Sequence, residues 1–252
     1  MQSIVPLHGF GGVPYSAVRK AAPKNLLDNS DFANLVAQAG IGGNHGTTAY
    51  AADRWILDSG TVSYEAGVGL TLNGTIRQKL EFPPTGDTST FVGMASGEAS
   101  ISCADGAVTI TSSGGVLKWA ALYAGVYTDA TMPDYHPKGY GAELAECQRY
   151  YRKMDFPENN EAIFFMNARN ETSLVYLLDV SGMRVINPTT TISITAKALM
   201  GSKTIDPVTI EVSSYYPGLA RLTARVSGCT SGAVYMIVTT ATDNFIDISA
   251  DL

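Results

Sequence analysis

Downstream of Trp55, apolar and polar residues alternate in short runs, most of them ended by Gly, Asp or Asn. TVSYEAGVGLTL, TIRQKLEF, STFVGMASGEASIS, GAVTITSS and VLKWAALYAG are the first of these runs. A period of two sends alternate side chains to opposite faces of a strand, so each run has one face suited to a core. Strand-length runs at spacings of about ten residues, with no helix-length pattern between them, predict an antiparallel sandwich or jelly roll. A second series starts beyond residue 157. There EAIFFMNAR, TSLVYLLDV, TISITAKAL, PVTIEVSSY, RLTARVSG and AVYMIVTTA read as further strands, with Ser181-Gly182 and Pro217-Gly218 as turn signals.

The alternation breaks in residues 137–156, PKGYGAELAECQRYYRKMDF. Leu144, Cys147 and Tyr151 recur there at three- and four-residue steps, the period of one buried helical face. Glu143 and Glu146 precede Arg149, Arg152 and Lys153, an order that complements the helix dipole and puts Glu146 within reach of Arg149 and Tyr150. Pro157 stops the pattern, so 137–156 reads as a short hinge helix. The aperiodic, proline-bearing stretch VYTDATMPDYHP before it marks a boundary. Residues 1–24 carry Pro and Gly among isolated apolar side chains and read as an extended docking arm. The expected chain is all-β: arm 1–24, jelly-roll or β-sandwich module 25–136, hinge helix 137–156, and C-terminal antiparallel β-sandwich 157–252.

Composition narrows the chemistry. The 252 residues are 45% apolar and 16% charged, with a formal net charge of −6. No basic run occurs, which argues against a nucleic-acid groove. Cys103, Cys147 and Cys229 are too widely spaced for a disulfide framework or a metal-ligand pattern, and read as reduced, buried thiols. No stretch approaches ~20 consecutive apolar residues, so membrane insertion is not expected, and MQSIVPLHGF lacks the pattern of a signal peptide. His8, His45 and His136 are scattered and read as solvated loop histidines, giving no metal site. Nucleophile-elbow, zinc-helix, phosphate-loop and EF-hand signatures are absent, so neither catalytic residues nor a cofactor is expected. A glycosidase needs only two carboxylates across a cleft, which no linear motif announces; Glu65, Glu81, Glu98, Asp105 and Asp134 read as scattered surface acids.

Four strings carry a resemblance. YGAELAECQRYYRK resembles the "ELxxCQRYY" segment of bacteriophage and prophage tail-fibre and receptor-binding proteins. NLLDNSDF, followed by Gln38 and Gly40, resembles the opening of their fibre modules, with Ala39 where Arg is usual. Asp53, Arg54 and Trp55 match the "DRW" strand entry, and NFIDISADL resembles the short acidic terminus. In residues 116–125, Ala121 and Tyr123 replace the usual Lys and Glu of the closing strand.

The resemblance implies a carbohydrate-binding-like jelly roll, a helix and a β-rich C-terminal domain in a virion appendage made in the host cytoplasm. It implies no enzymatic activity, attachment to host-surface glycan, and a homotrimer parallel to a threefold axis, with Leu144, Cys147 and Tyr151 as contacts between subunits. The arm residues Ile4, Leu7, Phe10 and Tyr15 would dock onto other virion proteins. Two alternatives stay open: a capsid or baseplate decoration that binds no glycan, and a glycan depolymerase.

Sugars pack their C–H faces on aromatic rings while nearby polar groups bond the hydroxyls. If Ala120, Leu122 and Ala124 face the core, Trp119 and Tyr123 face outward and form the best exposed pair. Asn44 and His45, in a glycine-rich turn, are the candidate polar partners, and Trp55 reads as core.

Overall fold

The computed structural model describes residues 23–250 apart from 46, 47, 83, 85, 97, 98, 129, 186 and 187. The described residues are all-β, with one short helix and antiparallel pairing between the strands. The expected arm residues Ile4, Leu7, Phe10 and Tyr15, with His8, lie outside the described residues.

Strands β1 (Asn44–His45), β2 (Thr48–Ala52), β3 (Trp55–Glu65), β4 (Gly69–Lys79), β5 (Thr88–Ser96), β6 (Ala99–Ala104) and β7 (Ala107–Ala124) make the first sheet. β7 organises it. It fuses two expected runs into one strand of 18 residues, pairs β4 along one edge, and shares its other edge between β6 and β5. Alternating Leu70, Leu72 and Ile76 of β4 and Val108, Ile110 and Leu117 of β7 form a core closed from above by Leu27, Phe32 and Leu35. Trp55 is fully buried in this core.

Helix α1 (Tyr140–Cys147) is shorter than the expected 137–156, because residues 148–150 form a turn and Tyr151–Phe156 becomes strand β8. The partner decides the outcome. β8 pairs residue for residue with β16 (Asn244–Ser249), which also pairs β11 (Thr189–Ser193), in a three-stranded sheet. Tertiary pairing thus overrides the helical period of QRYYRK, whose adjacent tyrosines also suit a strand.

The remaining strands are β9 (Ala162–Asn170), β10 (Ser173–Asp179), β12 (Ala196–Met200), β13 (Lys203–Tyr216), β14 (Leu219–Arg225) and β15 (Val234–Thr239). They close into a barrel in the order β10-β14-β13-β12-β15-β9. The expected strand TISITAKAL is divided: its first half is β11 in the three-stranded sheet and its second half is β12 in the barrel. Met166, Leu174, Leu222, Tyr235 and Ile237 fill the interior, and Ile246 and Ile248 of β16 join the same core.

Candidate functional site

Three of the four strings that carry the resemblance meet in space. Asn29, at a left-handed φ of 49°, uses its amide Oδ1 to accept the Val36 N–H at 2.9 Å. Its Nδ2 donates to the carbonyls of Val36 and Asp53 at 2.8 and 2.7 Å, and its own carbonyl accepts the Trp55 indole N–H at 2.8 Å. Its backbone N–H donates to Glu143 Oε2 at 2.6 Å, tying the first module to α1. Arg54, also left-handed at φ 71°, lies with its guanidinium 3.5 Å from the Tyr150 ring centre and donates to Asp28 Oδ2 and the Lys79 carbonyl. A desolvated cation over an aromatic face contributes on the order of 2 kcal/mol. Lys138 supplies the counter-charge to the acids here: its ammonium reaches the Leu27 carbonyl at 3.0 Å, Glu146 at 2.5 Å and Asp28 at 3.6 Å.

A second part of the joint is aromatic. His45 lies between two tyrosine rings, 3.9 Å from Tyr50 and 3.6 Å from Tyr151, nearly parallel to both. Its Nε2 is 3.5 Å from Asp53 Oδ1, and Gln38 donates to both carboxylate oxygens of Asp53 and to the Tyr151 carbonyl. The Tyr151 hydroxyl donates to Asp247 Oδ1 at 2.9 Å, so this chain of contacts runs from the first sheet to β16. Burial pushes the Asp247 carboxyl above its ordinary value, with the Tyr151 hydroxyl acting in the opposite direction. Burial likewise raises the Tyr151 hydroxyl and the Cys147 thiol far above their ordinary ranges.

Beside the joint opens a cleft of about 240 Å³. Asp28, Arg54 and Gln78 form its floor, Glu81 and Phe82 one lip, and Glu146 of α1 with Arg149 of the turn after it the other. Gln78 is fully buried and pairs with both the N–H and the carbonyl of Asp28, which fixes the floor. Glu81 accepts from Arg149 at 2.8 Å and from the Tyr150 hydroxyl at 3.0 Å. Burial pushes that hydroxyl up to about 12.

The residues expected to bind sugar do not form one site. Tyr123 is only 2% exposed, and Trp119 is half-buried against Tyr135 with ring centres 4.9 Å apart. Both faces of this end of β7 are covered: Leu122 enters the core, while Tyr127 and Tyr135 of the connection after β7 pack on Tyr123 and Trp119. Period-two alternation was sound, but it does not reveal a covering loop. His45 is buried rather than solvated. Of the four, Asn44 is the exposed one, and it lines a separate open depression with Lys153, Thr191 and Phe245.

The helix residues expected between subunits also change role. Cys147 and Tyr151 are buried within the chain and Leu144 is half-buried, so α1 spends its apolar face on its own module. Glu146 pairs with Lys138 rather than Arg149, whose partner is Glu81. All three cysteines are free, Cys147 and Cys229 buried and Cys103 half-buried. Sequence reasoning missed the cleft because its lips come from distant segments; the signal available was Phe82, an aromatic residue at the end of a strand-like run followed by Pro83 and Pro84.

No group of His, Cys, Asp or Glu suited to a metal ion occurs among the described residues. Among them, no helix is long and apolar enough to cross a membrane. No family model, curated protein or solved structure matches this chain.

Proposed function

We propose that the chain is a non-enzymatic subunit of a virion appendage that attaches to host-surface glycan. The observation that supports this reading is the convergence of three of the four tail-fibre-like strings: Asn29 and Gln38, Asp53 to Trp55, and Glu143 to Tyr151 bond one another in a single joint. Segments far apart in sequence thus serve one joint, which supports reading the strings together. The joint fixes two β-modules relative to each other, which suits a protein that transmits attachment mechanically.

The test uses bacterial capsule, lipopolysaccharide and teichoic-acid preparations together with light scattering. Retention on at least one preparation without release of reducing ends, and a mass near three times 26.7 kDa, are expected. Reducing-end release would make the protein a depolymerase, and failure to bind any preparation would remove the attachment role.

The decoration reading has its own supporting observation on the outer barrel face. Phe165, Leu177 and Val234 are exposed there, with Val175 beside them. Register places Met236 opposite Phe165 and Arg221 opposite Leu177, so the apolar strip crosses neighbouring strands and ends in a cation. Such a strip suits contact with another protein. A mass that falls to 26.7 kDa in Phe165→Lys, with glycan retention absent in both proteins, would favour decoration.

A further inference from the structure

We propose that the cleft between residues 78–82 and the end of α1 is a binding site for a neutral pyranose, which stacks on Phe82. This deepens the attachment reading and rests on it. Phe82 is 81% exposed, more than any other large apolar side chain in the described structure, and it stands on the lip of the cleft. An uncovered aromatic ring beside a polar hollow has the two components that sugar recognition requires: an apolar platform for the C–H face and fixed polar groups for the hydroxyls.

The charges lining the cleft select the class of ligand. Lys24, Arg54 and Arg149 face Asp28, Glu81 and Glu146, three cations against three anions. Arg54 is already paired with Asp28 and Arg149 with Glu81. Glu146 is paired with Lys138, so a cation would have to displace an existing partner, and an anion would find only Lys24 outside these pairs, in a cleft that also holds three carboxylates. A hydroxyl both donates and accepts, so it adds to the pairs: carboxylate oxygens keep spare lone pairs, and the half-exposed Arg149 guanidinium has further N–H groups. The volume suits one or two sugar rings rather than a peptide or nucleotide, being below the range of drug-sized sites. The floor is preorganised by the bonds of Gln78 and Arg54, so binding requires little rearrangement of it.

The experiment is saturation-transfer NMR on the full chain with the methyl pyranosides of glucose, galactose, mannose and N-acetylglucosamine, and with methyl glucuronide as the anionic probe. Transfer to the ring C–H protons of at least one neutral glycoside is expected. Phe82→Ala and Arg149→Ala should each weaken binding about tenfold, as loss of an aromatic or charged contact does. Tyr216→Ala, which removes an exposed aromatic on the barrel, should leave it unchanged. Unfolding temperatures confirm that each variant is folded. Absence of transfer to every neutral probe, preference for the glucuronide, or undiminished transfer in folded Phe82→Ala would overturn the assignment. If Phe82→Ala still binds host polysaccharide as the full chain does, attachment stands and its site lies elsewhere; if neither binds any preparation, attachment itself fails.

Discussion

At Glu143 a carboxylate is 2% exposed, with Oε2 accepting the Asn29 N–H and Oε1 buried without a hydrogen-bond partner among the described residues. Burial raises its pKa above the ordinary 4.5, and the nearby Lys138 charge and the Asn29 N–H offset this only partly. A raised carboxyl holds its proton more tightly in the folded state. Folding therefore gains from this group at low pH and loses that gain as pH rises from about 4.5 through the raised value. Glu143→Gln removes the titration, so urea unfolding should show the variant improving relative to wild type between pH 4 and pH 7; a constant difference would contradict the burial argument. Tyr151→Phe should cost about 1–3 kcal/mol by removing the hydroxyl that Asp247 accepts. The loss should be larger at pH 7 than at pH 4, because the hydroxyl favours the charged carboxylate. Neither residue's role was legible locally. His45 has glycines at 42, 43 and 46 and reads as a loop histidine, yet its environment is set by Tyr151, on a strand far along the chain.

Strands β3 and β4 run so close at Gly60 and Gly74 that side chains have no place between them. The two glycines are paired in register, and a Cβ on Gly74 would lie 2.1 Å from the Ser59 carbonyl oxygen. Gly74 also has φ 144°, outside the range of ordinary L-residues. Gly74→Ala is expected to destabilise the chain by at least ~1–3 kcal/mol and to separate the strands locally. Gly141 is the opposite case: it lies inside α1, and an added Cβ meets nothing within 4 Å. Gly141→Ala should stabilise by about 0.5–1 kcal/mol, so the same substitution has opposite signs in two elements, readable as shifts of the urea midpoint. Alternation made the strands legible because one face of each is buried, as in Leu70, Leu72 and Ile76. It did not show where strands fuse or divide. Gly114 and Gly115 looked like a turn but lie within β7, and the break at residues 194–195 looked continuous but sends β11 and β12 to different sheets. Glu143 lies in the first turn of α1 as the charge order implied, but Arg149, Arg152 and Lys153 fall beyond the helix, whose end is fixed by the pairing of β8 with β16, which local sequence does not contain.

For the whole molecule, the consequence of β8 is that the joint belongs to both modules. Tyr151 stacks on His45 of the first sheet, while its own strand holds the edge of β16 opposite β11. The expected C-terminal unit, 157–252, would therefore lack an outer strand of the three-stranded sheet. Ile246 and Ile248 would remain, with their hydrogen-bonding edge open on the β8 side and part of the shared core uncovered. An exposed strand edge beside apolar side chains is a template for aggregation. A chain of residues 148–252 restores β8, though it exposes the Tyr151 ring that His45 normally covers. Expressed separately, 148–252 should be soluble and cooperative but less stable than the same region in the full chain, and 157–252 should aggregate or remain unfolded. Circular dichroism melts and size-exclusion profiles of the two would decide it. Equal solubility and equal melting temperatures would mean that the barrel is self-sufficient, and that β8 serves only the first module. The predicted difference follows from one strand lying where a hinge was expected, which turns a flexible connection into shared structure.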